Sequence, residues 1–165
     1  MADSKETNSN CVYIAIDIAK NKHDVLIKHA DGQKMSFKIE NTLHGYQQIV
    51  DRGRQLSKDA TLICGFEPTA DYHRNIAYWL SSMGCEMRLI SSLACARARE
   101  MLHKTWDKND RKDAGVILYL LEHGINQPNY DPLINGNMDA QEMVLSGCSP
   151  SIMYNVLNRA QGGKA

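Results

Sequence analysis

CVYIAID, residues 11–17, is apolar up to its last residue, Asp17. A short run of alternating and partly continuous apolar character, entered from the polar stretch MADSKETNSN and left through AKNK, reads as a strand from about Val12 to Asp17. Two further segments follow it at once. HDVLIKH (23–29) and KMSFKIE (34–40) are joined by Ala30, Asp31, Gly32 and Gln33, an Asp-Gly turn signal. In the second, Met35, Phe37 and Ile39 alternate with polar neighbours, the period of a half-buried strand. The opening of the chain is therefore a three-stranded antiparallel meander.

Beyond it the period changes. Asn41 or Thr42 can cap a helix in which Leu43, Tyr46, Ile49 and Val50 recur at helical spacing through Leu56. TLICGFE (61–67) is a fourth strand, stopped by Pro68. It leads into TADYHRNIAYWLSSMG, where Tyr72, Ile76, Trp79 and Leu80 form an inward stripe. EMRLIS (86–91) is a fifth strand, SLACARAREMLHK (92–104) a third helix, and DRKDAGVILYLLEHG (110–124) a fourth with Gly124 as its C-cap. The expected fold class is α/β: a mixed five-stranded sheet with helices on both faces. Strands four and five lie parallel beside strand one through right-handed crossovers. Residues 1–10 read as a mobile tail, 11–125 as one domain and 126–165 as an appendage.

Composition agrees and narrows the function. The chain has 165 residues, enough for about one domain, and 43% hydrophobic with 23% charged residues excludes a disordered or collagen-like polymer. Nineteen Lys+Arg balance nineteen Asp+Glu, so any nucleic-acid contact must come from a local patch. Five scattered cysteines without a CxxC pair, and no apolar leader, point to a reducing cytoplasm. No apolar run reaches the ~18 residues of a membrane span. HExxH, P-loop and GxGxxG motifs are absent, which removes zinc, P-loop ATPase and dinucleotide chemistry.

The acids carry more. Asp17 closes the first strand and Glu67 the fourth, each just before a chain reversal, where open α/β sheets bind ligands. Asp110 and Asp113 lie in the first turn of an amphipathic helix, three residues apart and so on one face. Singly, such an acid is as often a turn residue or a helix cap. Glu67, directly after LICGF, fits neither role well. Converging carboxylates repel unless cations neutralise them, and hard oxygen donors select Mg2+ or Mn2+. Two such ions, about 3.5–4 Å apart, suit phosphodiester cleavage.

IAIDIAKNKHDV, GFEPTADYHRNIAYWL and KNDRKDAGVILYLLEHG together resemble the DEDD-type transposases, the pilin-inversion recombinase Piv and its insertion-sequence relatives. The resemblance runs from about Val12 to Gly124. It implies a ribonuclease H-like, RuvC-like catalytic domain with Asp17, Glu67, Asp110 and Asp113 as catalytic metal ligands, Asp107 being a rival for the third position. It also implies Mg2+- or Mn2+-dependent DNA strand breakage, a homo-oligomer and, in relatives that use one, a guide (bridge) RNA. Full-length relatives carry a C-terminal domain with a nucleophilic serine; residues 126–165 read as the start of a linker toward it, and Ser146, Ser149 and Ser151 do not take that role.

Around the second acid pair the chain is basic: Arg97, Arg99, Lys104, Lys108, Arg111 and Lys112, with Trp106 among them. Such side chains neutralise phosphates, and Trp106 can stack on a base. Lys20 and Lys22, just after Asp17, can contact the same backbone. Two other functions compete: a non-catalytic nucleic-acid-binding or assembly module, and an actin-like kinase fragment. The latter needs glycines after its first Asp, where this chain has AKNK.

Overall fold

β1 (Cys11–Asp17) is hydrogen-bonded on both edges, antiparallel to β2 (Lys22–His29) and parallel to β4 (Thr61–Phe66), which is why CVYIAID is apolar without alternation. The computed structural model describes residues 10–103 and 110–129, with 103 and 110–112 described as backbone. Its sheet has the order β3-β2-β1-β4-β5-β6, with β3 at Lys34–Glu40 antiparallel to β2 and β5 at Glu86–Leu89 parallel to β4. The expected order and strand directions are thus observed.

Alternation along β1 separates two cores. Val12, Ile14 and Ile16 pack with Ile49, Leu62, Phe66, Ile76 and Leu80 beneath α1 (Leu43–Leu56) and α2 (His73–Ser82). On the other face Tyr13 and Ala15 meet Ile90, Cys95, Val116, Ile117 and Leu121 of the layer holding α3 (Ser92–His103) and α4 (Asp110–Glu122). Helices cover both faces, as expected.

Local chemistry sets the helix limits. Thr42, and not Asn41, caps α1, its Oγ1 accepting the Gly45 N–H at 3.2 Å. Leu43 is 62% exposed: it lies at the first helical position, before α1 has reached the sheet, so the buried stripe begins at Tyr46. Tyr72 likewise falls outside its expected stripe. The turn after Pro68, with Ala70 in the left-handed region at φ 45°, delays α2 to His73; Ile76, Ala77 and Leu80 are buried while Tyr72 is exposed. Gly124, at φ 70°, closes α4 as expected, with its own N–H bonded to Leu121 O at 3.3 Å and that of Ile125 to Leu120 O at 2.9 Å.

α4 lies close against the strands because Gly65 has no side chain. A Cβ there would stand 3.0 Å from Leu121 Cδ1 and 3.3 Å from Ile90 Cδ1. At the far end of the helix, Lys28 of β2 pairs with Glu122 at 2.9 Å. Lys28 is opposite Tyr13 in the ladder, so α4 runs antiparallel to β1 and begins over its carboxyl end.

The sheet exceeds the expected five strands. β6 (Gln127–Pro128) pairs antiparallel with β5, two residues past the anticipated domain limit at 125. Pro128, which has no N–H to offer, is tolerated on an edge strand. Among the described residues no helix is long and apolar enough to cross a membrane. Cys11, Cys64, Cys85 and Cys95 are buried free thiols.

Candidate active site

Strand register assembles the site. Ile16 pairs with Phe66, so Asp17 and Glu67 occupy the next level at the carboxyl ends of adjacent parallel strands. Asp17 is paired with Asp24 of β2, and Asp24 with Lys38 of β3. Adjacent strands are about 4.8 Å apart. Glu67, Asp17, Asp24 and Lys38 therefore form one row across four strands. Side chains alternate between faces, and the row shares its face with Ala15 and Leu26, the face that α4 covers.

The helical layer adds to the Glu67 end. Arg99 of α3 donates from Nε to Asp113 Oδ1 of α4 at 2.9 Å, with the two side chains only 19% and 16% exposed. Cys95, one helical turn before Arg99 and 1% exposed, lies among these groups. Burial, then the Glu67 carboxylate that accepts its hydrogen bond, pushes the Cys95 thiol up to about 12; Asp113 adds to the rise and Arg99 opposes it. Glu67, Asp113, Arg99 and Cys95 thus share one electrostatic neighbourhood. A protonated, buried thiol is inert there and serves as a hydrogen-bond donor.

On the other flank, the β1–β2 turn and the ends of β2 and β3 enclose a cleft of about 470 Å³ lined by Asp17, Ala19, Lys20, Asn21, Lys22, Asp24 and Lys38. Lys38 Nζ is 3.5 Å from Asp24 Oδ1. A polar network around the buried His23 holds the turn. The Ala19 N–H donates to His23 Nδ1 at 3.1 Å, which leaves Nε2 to donate to Asn41 Oδ1 at 3.2 Å. Tyr46 Oη donates to the same oxygen, and Asn41 Nδ2 donates to Lys20 O at 3.1 Å. Burial holds His23 below its ordinary pKa, with Asn41 and Asp24 opposing. The neutral ring is the form these donors require.

The expected site residues distribute as follows. Asp17, Glu67 and Asp113 lie at one end of the sheet on one face, with Lys20 and Lys22 at the cleft mouth. Arg99 points to Asp113. Arg97, two residues earlier, lines a groove with Ala94, Met101, Tyr119 and Ile125. Asp110, Arg111 and Lys112 belong to the first turn of α4 by backbone, and their side chains lie outside the description, as do Lys104, Trp106, Asp107 and Lys108 altogether. Asp24, Lys38 and Cys95 were not anticipated. Register is the signal for the first two: once 23–29 and 34–40 are aligned on β1, Asp24 must stand beside Asp17.

Among the described residues no group of three or more His, Cys, Asp or Glu is gathered closely enough to hold a metal ion. The donor chemistry nonetheless suits a hard cation, since Asp17 and Glu67 bring carboxylate oxygens to one level and Asp113 approaches from above, held by Arg99.

The strand order 3-2-1-4-5, with only β2 antiparallel among the central strands, and acids at the ends of β1 and β4 define a ribonuclease H-like domain. A family model described as transposase, of the IS110 DEDD type, matches residues 14–132, and the chain belongs to that family. Solved structures similar to it include a T. thermophilus RuvC in complex with a Holliday junction substrate. It is 8% identical and covers 72% of this chain and 99% of that one, with a TM-score of 0.45. Thermus thermophilus RuvC, at 9% identity, covers the same shares with a TM-score of 0.44. Among curated proteins no match is found.

Proposed function

We propose that this transposase-family chain breaks phosphodiester bonds in DNA with divalent metal, Mg2+ or Mn2+, held by Asp17, Glu67 and Asp113 together with Asp110. The observation that carries the reading is the placement of Asp17 and Glu67 at one level on adjacent strand ends, on the face covered by α4, which carries Asp113 near its start. When bound, such ions polarise a phosphate and activate an attacking oxygen.

The chain's own residues supply the rest. Lys20, Lys22 and Lys38 surround the cleft beside Asp17 and are placed to neutralise backbone phosphates next to the scissile one. The His23–Asn41–Tyr46 network fixes the turn from which Lys20 and Lys22 project. Arg97, Arg99, Lys104, Lys108, Arg111 and Lys112 are the further candidates for phosphate contact, with Trp106 for base stacking, and the resemblance implies a second copy of the chain and, in relatives that use one, an RNA guide. Cleavage of labelled duplex and branched DNA in Mg2+ or Mn2+ tests the reading. Wild type is expected to nick, and Asp17→Asn or Glu67→Gln to lose at least about 100-fold in rate, the scale of removing a principal electrostatic contributor, while retaining the folded circular-dichroism spectrum. Unchanged nicking in either variant would refute the assignment of these acids, and a wild type that binds DNA without nicking it in either metal would leave a binding module.

A further inference from the structure

Arg99 stands where its charge is most consequential. Its guanidinium contacts Asp113 at 2.9 Å, over the end of the sheet where Asp17 and Glu67 close adjacent strands. It is therefore a cation already inside the group of acids that a divalent ion would join. Both partners still touch solvent, at 19% and 16% exposure, so the pair is neither sealed nor held by desolvation. Guanidinium also matches a phosphate fork for fork, which gives Arg99 a second partner whenever a DNA backbone enters.

We propose that Arg99 is a surrogate cation that holds Asp113 until a DNA phosphate draws it away, so that metal loading and DNA binding strengthen one another. This rests on the metal-site reading above. Without DNA, Arg99 neutralises Asp113 and competes with the incoming ion. With DNA, the guanidinium moves to a phosphodiester oxygen and the Asp113 carboxylate becomes available as a ligand. Coupling of this type is reciprocal: the factor by which DNA tightens metal binding equals the factor by which metal tightens DNA binding. Arg99 is in this sense a positioning residue for Asp113.

The test is a Mn2+ titration of the full chain, followed by the electron paramagnetic resonance of the free ion, with and without a duplex oligonucleotide. Wild type is expected to bind Mn2+ more tightly with DNA. Arg99→Gln is expected to bind it about fivefold or more tightly without DNA, the lower end of usual coupling factors, and to show little further gain when DNA is added. Arg99→Lys, which keeps the charge but loses the Nε contact, is expected to fall between the two and serves if the Gln variant does not fold. A folded Arg99→Gln or Arg99→Lys that binds Mn2+ no more tightly than wild type, while Asp17→Asn still weakens binding, would overturn the Arg99 role and leave the metal site standing. Mn2+ binding indifferent to Asp17→Asn would overturn both.

Discussion

Asp17 and Asp24 are side by side in an antiparallel ladder, where like charges repel, and Lys38 offsets one of them from the next strand. Removing that offset in Lys38→Met leaves two adjacent carboxylates, and the expected result is weaker DNA binding in low salt with a stability change within about 1 kcal/mol, since the Lys38 side of the pair is largely exposed. A filter-binding salt series together with a urea melt checks both parts. His23 gives a pH signature. Its folded pKa lies below the ordinary 6.5, so the folded state binds fewer protons than the unfolded chain. The stability it contributes is complete above about pH 6.5 and declines as the pH falls from there toward the folded pKa. Ring titration by nuclear magnetic resonance should place the His23 midpoint under 6.5, with Nε2 carrying the hydrogen at neutral pH; a midpoint above 6.5 contradicts the network. Ala70, at φ 45°, gives a simpler case. Ala70→Gly relieves a left-handed alanine and should be neutral or stabilising by about 1 kcal/mol in a thermal melt.

At the scale of elements, the position of α4 decides whether Asp113 can reach the strand ends. The helix is seated by Leu121 against Gly65 and Ile90, and Leu121→Ala is expected to cost about 2–5 kcal/mol. Gly65→Val is the sharper probe. A branched side chain there must push Leu121 and Ile90 aside, lifting α4 from β1 and β4. The expected outcome is loss of cleavage greater than the loss of stability alone explains, measured on protein shown to be folded. These placements were partly legible beforehand. The apolar character of CVYIAID marks a strand, and Glu67 stands out because it follows LICGF directly and Glu is not a favoured turn former. Asp24, Lys38 and Cys95 escaped because their meaning lies in register and in helix orientation, which no single segment encodes. Tyr72 and Leu43 misled for the converse reason: helical spacing extends their stripes past the point where the helix touches the sheet. The two-residue β6 is too short for any period to mark.

For the molecule as a whole, a neutral net charge conceals a polar layout. Acids gather at the carboxyl ends of β1 and β4, while lysines flank them on the hairpin and Arg99 stands on α3. The ribonuclease H-like order brings these distant segments to one end of the sheet, the end proposed above to act on DNA in this member of the transposase family. The convergence of the acids on one ion is what the whole account depends on, and Mn2+ relaxation of backbone amide signals measures it directly. With duplex DNA present, substoichiometric Mn2+ should broaden the amides of Asp17, Glu67 and Asp113 together, before those of β3 and β6. Broadening that reaches Asp113 alone, or that spares Asp17 and Glu67, would contradict it.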